Sequence, residues 1–161
     1  MPIPIYSIIA YSGTGKTTVI TALIAELKRR GLRVAAVKHD AHDFEIDREG
    51  KDSARMTAAG ADVTILSSGQ KAAIMENRPI STQELLSRVT GVDIILTEGY
   101  KSVPCPKIAL LRAETGKPLP IPPDACFAIM SDVDIETSRP LLRLDDITGL
   151  ADLIVRDAGL Q

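Results

Sequence analysis

The chain has no tryptophan, and aromatic residues make up only 3% of its 161 positions, so whatever core it builds must be aliphatic. Cysteine is almost missing too. Cys105 and Cys126 stand too far apart to form a short metal-binding pair, and two free thiols in a reducing cytoplasm are expected. Positive charge is not in excess: 19 Lys and Arg face 21 Asp and Glu, a formal net charge of −2. That excludes an overall basic field drawing the protein to nucleic acid. No apolar run reaches the roughly 18 residues of a membrane span. The start, Met1-Pro2-Ile3-Pro4-Ile5, lacks the basic region and cleavage site of a signal peptide. Internal repeats and low-complexity tracts are absent, and no linker divides the chain, so one domain spanning 1–161 is expected.

What is present is a globular profile, 45% hydrophobic and 25% charged, organised around one stretch. Ala10-Tyr11-Ser12-Gly13-Thr14-Gly15-Lys16-Thr17 follows an apolar run, Ile5 to Ile9, and opens a helical pattern with Ile20, Leu23, Ile24 and Leu27 on one face. Strand, glycine-bearing loop and helix are what a phosphate-binding P-loop requires. Successive backbone N–H groups then converge on phosphate oxygens at a helix N-terminus, where the dipole favours negative charge. Lys16 would reach the β- and γ-phosphates, and the Thr17 hydroxyl would bind magnesium. The strict motif begins with glycine, and Ala10 stands there instead. Alanine is costly at that position only if φ is positive.

Further along, Gly31 ends the first helix, and Arg33 to Val37 reads as a second strand, so a right-handed parallel crossover is expected. Val63–Leu66 and Lys71–Met75, joined by Ser67-Ser68-Gly69-Gln70, suggest an antiparallel hairpin at one sheet edge. Ser81 and Glu84 form a capping-box pattern ahead of Leu85, Leu86 and Val89. Val92 to Thr97 is a nearly continuous apolar strand, as buried parallel strands are. Strands over Ile108–Leu111 and Cys126–Met130 and a helix after Asp145-Asp146 complete the pattern. The fold class expected is α/β: a three-layer P-loop NTPase fold with a mainly parallel sheet, helices on both faces and an antiparallel edge hairpin.

Several residues outside the loop can carry chemistry. Glu98 ends the central strand, where a Walker-B carboxylate supports magnesium, and Asp40 emerges after the second strand on the same edge. His39 and His42 flank Asp40 and suit either a transition-metal site or hydrogen bonds that shape the loop, the second being preferred. Lys51 or Arg55 could hold a second anionic ligand, or simply begin a solvated helix. Asp132, after the strand ending at Met130, can accept from N1 and the exocyclic amine of guanine; a turn or cap role is an equal alternative. No arginine stands in the P-loop to act on a transition state, and Arg48, Arg55 or a partner's arginine are the candidates to fill that gap.

Taken together, four segments resemble the MobB family, the molybdopterin-guanine dinucleotide biosynthesis adapter proteins. They are Ala10–Thr18; Lys38-His39-Asp40-Ala41-His42; Asp47 with Gly50 to Arg55; and Thr97-Glu98-Gly99-Tyr100-Lys101 with Pro106-Lys107. The resemblance implies a GTP-binding, magnesium-dependent homodimer with at most slow GTP hydrolysis. It implies a guanylyltransferase as partner, with molybdopterin or the molybdenum cofactor nearby, and assistance in joining GMP to molybdopterin. By position, Ser12, Gly13, Thr14, Gly15, Lys16, Thr17 and Thr18 bind the nucleotide, with Asp132 on its base. Thr17, Asp40 and Glu98 then hold the metal. Two rival readings use the same loop: a P-loop small-molecule kinase with its acceptor near Lys51 and Arg55, or a metallochaperone-like GTPase working through His39 and His42.

Overall fold

Ile5–Ile9, the first strand, lies in the interior of a six-stranded sheet, and the P-loop leaves from its carboxyl end. The computed structural model describes residues 2–38, 50–100 and 102–160. In chain order the elements are β1 (Ile5–Ile9), α1 (Lys16–Arg29), β2 (Val34–Lys38), α2 (Asp52–Ala58), β3 (Val63–Ser67), β4 (Ala72–Glu76), α3 (Thr82–Ser87), β5 (Ile94–Glu98), β6 (Lys107–Leu111), β7 (Ala128–Ser131), β8 (Leu141–Arg143) and α4 (Ile147–Asp157). Contacts divide them into two units, Met1–His39 with Val89–Gln161, and Asp40–Arg88.

The first unit holds the sheet, in the order β2-β5-β1-β6-β7-β8, and every neighbouring pair in it is parallel. Alternation along the strands separates two faces. One carries Tyr6, Ile8, Ile94, Leu96, Ile108 and Met130, packed with Leu23 and Leu27 of α1 and Leu150 and Ile154 of α4. Each of these aliphatic side chains contributes about 1.5–3 kcal/mol by leaving water. The other face carries Ile9, Ala109 and Ile129, closed by Leu119, Ile121 and Ile135 from connecting segments rather than from helices. Both long helices of this unit thus cover one face.

Two ties secure the unit beyond burial. The Tyr6 hydroxyl donates to Asp157 at 2.6 Å, joining β1 to α4, and burial together with that carboxylate pushes the phenol well above its usual range. Arg33 donates to Asp93 from its backbone N–H and its guanidinium, closing the amino-terminal edge of β2 and β5. The helix starts follow their sequence signals: Ser81 accepts from the Glu84 N–H and Asp146 from the Gly149 N–H. The Glu84 carboxylate, however, pairs with Arg78 and Arg88. Half of the capping box is therefore made.

The second unit contains the hairpin, whose strands pair from Val63 with Glu76 to Ser67 with Ala72. It forms a two-stranded sheet of its own and does not extend the six-stranded one. Thr57 of α2 and Thr64 of β3 share a hydroxyl hydrogen bond of 2.8 Å. The last place in the large sheet goes instead to β8, too short for the sequence pattern to reveal.

Candidate functional site: a P-loop at the carboxyl edge of the sheet

The loop geometry starts with its two glycines. Gly13 has φ +85° and Gly15 φ +96°, conformations in which an L side chain is strained. No described non-glycine residue has positive φ, and this includes Ala10. Replacing the motif's first glycine with alanine therefore costs the loop no backbone strain. Gly15 opens α1 without any side-chain cap, and no acidic residue occupies the first turn. The N–H groups and positive dipole end at Lys16, Thr17 and Thr18 thus have neither a side-chain cap nor a first-turn carboxylate from the chain itself. Ser81 and Asp146 cap α3 and α4 with side-chain oxygens, while α2 starts uncapped after Lys51 but carries Asp52 in its first turn.

Three contacts shape the loop around that start. Thr14 is buried and donates its hydroxyl to the Tyr11 carbonyl at 2.9 Å. Lys16 lays its ammonium across the loop, donating to the Ala10 and Tyr11 carbonyls at 3.1 and 3.2 Å. Thr17 and Thr18 are exposed on the first turn. Ser12 is exposed at the loop's tip.

Glu98 stands on the same rim as the loop. It pairs in register with Ile8, two residues before Ala10, and the Gly99 N–H donates to the Ile8 carbonyl at 3.0 Å. By alternation from Ile94 and Leu96, its side chain falls on the face covered by α1, whose first turn carries Thr17. A half-buried carboxylate and a hydroxyl are hard oxygen donors, the set magnesium takes beside nucleotide phosphates. Asp40, His39, His42, Asp47 and Arg48 lie outside the described residues. Among those described, no group of three His, Cys, Asp or Glu is placed to hold a metal ion. Lys51 and Arg55 belong to the second unit, where the exposed Arg55 stands 3.9 Å from Asp52.

The far side of the loop is bordered by the segment after β6. Arg112 donates Nε–H to the Thr14 carbonyl at 3.3 Å, and the Lys117 ammonium lies 5.8 Å from the Tyr11 ring centroid. Asp132, exposed beyond β7, accepts from the Ala113 N–H at 2.8 Å and so holds this segment. Arg112 and Lys117 had no sequence signal. Nothing in their local pattern marks them, and only the placement of β6 beside β1 brings them to the loop.

A parallel sheet of this order with an uncapped, glycine-shaped loop at the edge of an interior strand defines a protein of the P-loop NTPase fold. The family model for Molybdopterin guanine dinucleotide synthesis protein B matches residues 5–132. Among curated proteins, a molybdopterin-guanine dinucleotide biosynthesis adapter protein of Haemophilus influenzae is 41% identical over 156 residues, covering 94% of this chain and 88% of that one. The protein of that name in Escherichia coli is 40% identical over 161 residues, covering 95% and 92%. The crystal structure of Bacillus subtilis MobB superposes with a TM-score of 0.78 at 28% identity, over 96% of this chain and 97% of that one. The chain belongs to the MobB family.

Proposed function

We propose that this chain is a GTP-binding adapter protein that assists attachment of GMP to molybdopterin, hydrolysing GTP slowly at most. The observation that carries the nucleotide site is the start of α1: no side-chain cap, no first-turn acid, and Lys16 poised over the loop. Ser12 to Thr18 wrap the phosphates. Thr17 and Glu98, with Asp40, hold magnesium, which when bound neutralises charge between the β- and γ-phosphates. Asp132 reads guanine; its Oδ1 is oriented by the Ala113 N–H, which leaves carboxylate lone pairs for the base.

An adapter role fits a loop that carries Lys16 and Thr17 for binding and no arginine of its own to act on a transition state. The partner is the guanylyltransferase, acting on molybdopterin in the cytoplasm. The chain works as a homodimer. What supports this is the hairpin face opposite Thr64, where Val63, Ile65 and Ile74 are all exposed and the Ile65–Ile74 pair is about two-thirds open to water. An isolated two-stranded hairpin is marginal in water, and this one gains by meeting a second copy.

Titration with GTP and ATP in magnesium, followed by co-purification with the transferase, tests the reading. Preference for GTP, a stable complex and faster GMP transfer are expected. No nucleotide binding, or neither complex nor rate effect, would overturn it.

A further inference from the structure

The P-loop contains no arginine of its own, yet a guanidinium sits against it. Arg112 donates Nε–H to the Thr14 carbonyl, and its Nη2 lies 3.5 Å from the point a Cβ on Gly15 would occupy. Its other N–H groups have no carboxylate partner among the described residues. Arg29, Arg30, Arg33, Arg78 and Arg88 by contrast all pair with acids.

Charge makes this placement informative. A half-buried cation stands beside the positive end of α1 and the loop that carries Lys16, with no carboxylate paired to it among the described residues. Like charges gathered this way repel, and an anion bound on the loop relieves them. The position is also held in advance. The Ala113 N–H is bound by Asp132, and the Thr115 N–H and hydroxyl both donate to the Arg112 carbonyl, at 3.1 and 2.8 Å. A residue merely needed to fix the Thr14 carbonyl would not require a fork of five donors; a phosphate uses them.

We propose that Arg112 is a phosphate-binding residue of this site, the cationic fork that the P-loop sequence lacks, supplied in cis from the segment that follows the neighbouring strand β6. The inference rests on the reading of the loop as a nucleoside triphosphate site and adds a residue to it. Arg112 thereby contacts the phosphate chain and clamps the loop with the same side chain.

Calorimetric titration of Arg112→Gln and Arg112→Lys with GTP and GDP in magnesium, at two salt concentrations, tests it. Glutamine keeps an N–H donor for the Thr14 carbonyl but loses the charge. Arg112→Gln is expected to bind GTP about ten- to a hundredfold more weakly, with a shallower salt dependence, and Arg112→Lys to fall between it and wild type. An unchanged melting temperature would show that the loss is not unfolding. Affinity of Arg112→Gln within about twofold of wild type, or equal losses for both variants with an unaltered salt slope, would assign Arg112 to loop-holding alone and overturn the proposal. Wild-type protein that binds no nucleotide would remove the parent reading, and this one with it.

Discussion

The Lys16 ammonium donates to the Ala10 carbonyl at 3.1 Å, so the residue that opens the loop and the one that opens the helix are tied across it. A phosphate bound by the loop exchanges these neutral contacts for charge-assisted ones. Lys16→Ala should abolish nucleotide binding, a loss of at least about tenfold for each charge-assisted bond removed. The fold should survive, because the freed carbonyls lie at the rim where water reaches them. Calorimetry and thermal unfolding on the same sample check both halves.

Ala10 and Gly13 should respond oppositely to exchange of alanine and glycine. Ala10 does not have positive φ, so Ala10→Gly restores the strict P-loop motif and should leave GTP affinity within about twofold of wild type. Gly13 has φ +85° with open space around it, and Gly13→Ala should cost about 1–2 kcal/mol through backbone strain alone. Denaturant titration reads the second effect and calorimetry the first.

Glu98 is proposed to act only through magnesium. Glu98→Gln should weaken GTP binding about tenfold in magnesium, a size typical for loss of one charged ligand. In EDTA the variant and wild type should bind alike. A loss of equal size in EDTA would place Glu98 in the fold rather than at the metal.

Acid should weaken the junction of Arg33 with Asp93. The Arg33 guanidinium and backbone N–H hold the Asp93 carboxyl down to about 2. In the unfolded chain an aspartate titrates near about 3.9. The pair's contribution is therefore complete above about pH 4 and fades as pH falls toward 2, the direction for any depressed carboxylate. Asp93→Asn should flatten that part of the stability curve, followed by urea titration from pH 5 to 2.5.

The hairpin offers the clearest test of assembly. Ile65→Asp places a charge in the middle of its open apolar face, opposite Ile74. Sedimentation should show dimer for wild type and monomer for the variant, with β-structure retained in each.

How much of this was readable in advance varies with the range of the interaction. The P-loop, the helix that follows it and the cap at Ser81 depend on neighbours within about four residues, and their spacing already announces them. The apolar run before Glu98 likewise marked a buried strand with an acid at its end. β8 is three residues long, too short to leave a periodic pattern. The hairpin was legible as a hairpin, but the sequence does not say whether its edge pairs with another strand.

Residue order alone thus determined a P-loop, the threonine hydroxyl at its helix start and the strands that frame it, since these follow from local periodicity and backbone conformation. The tertiary structure decided that β1 lies between β5 and β6, which puts Glu98 on one side of the loop and Arg112 on the other. Thr14 and Arg112 meet across 98 positions of sequence. Such meetings depend on which parallel strands pair after their crossovers, and hydrophobic period carries no record of that order.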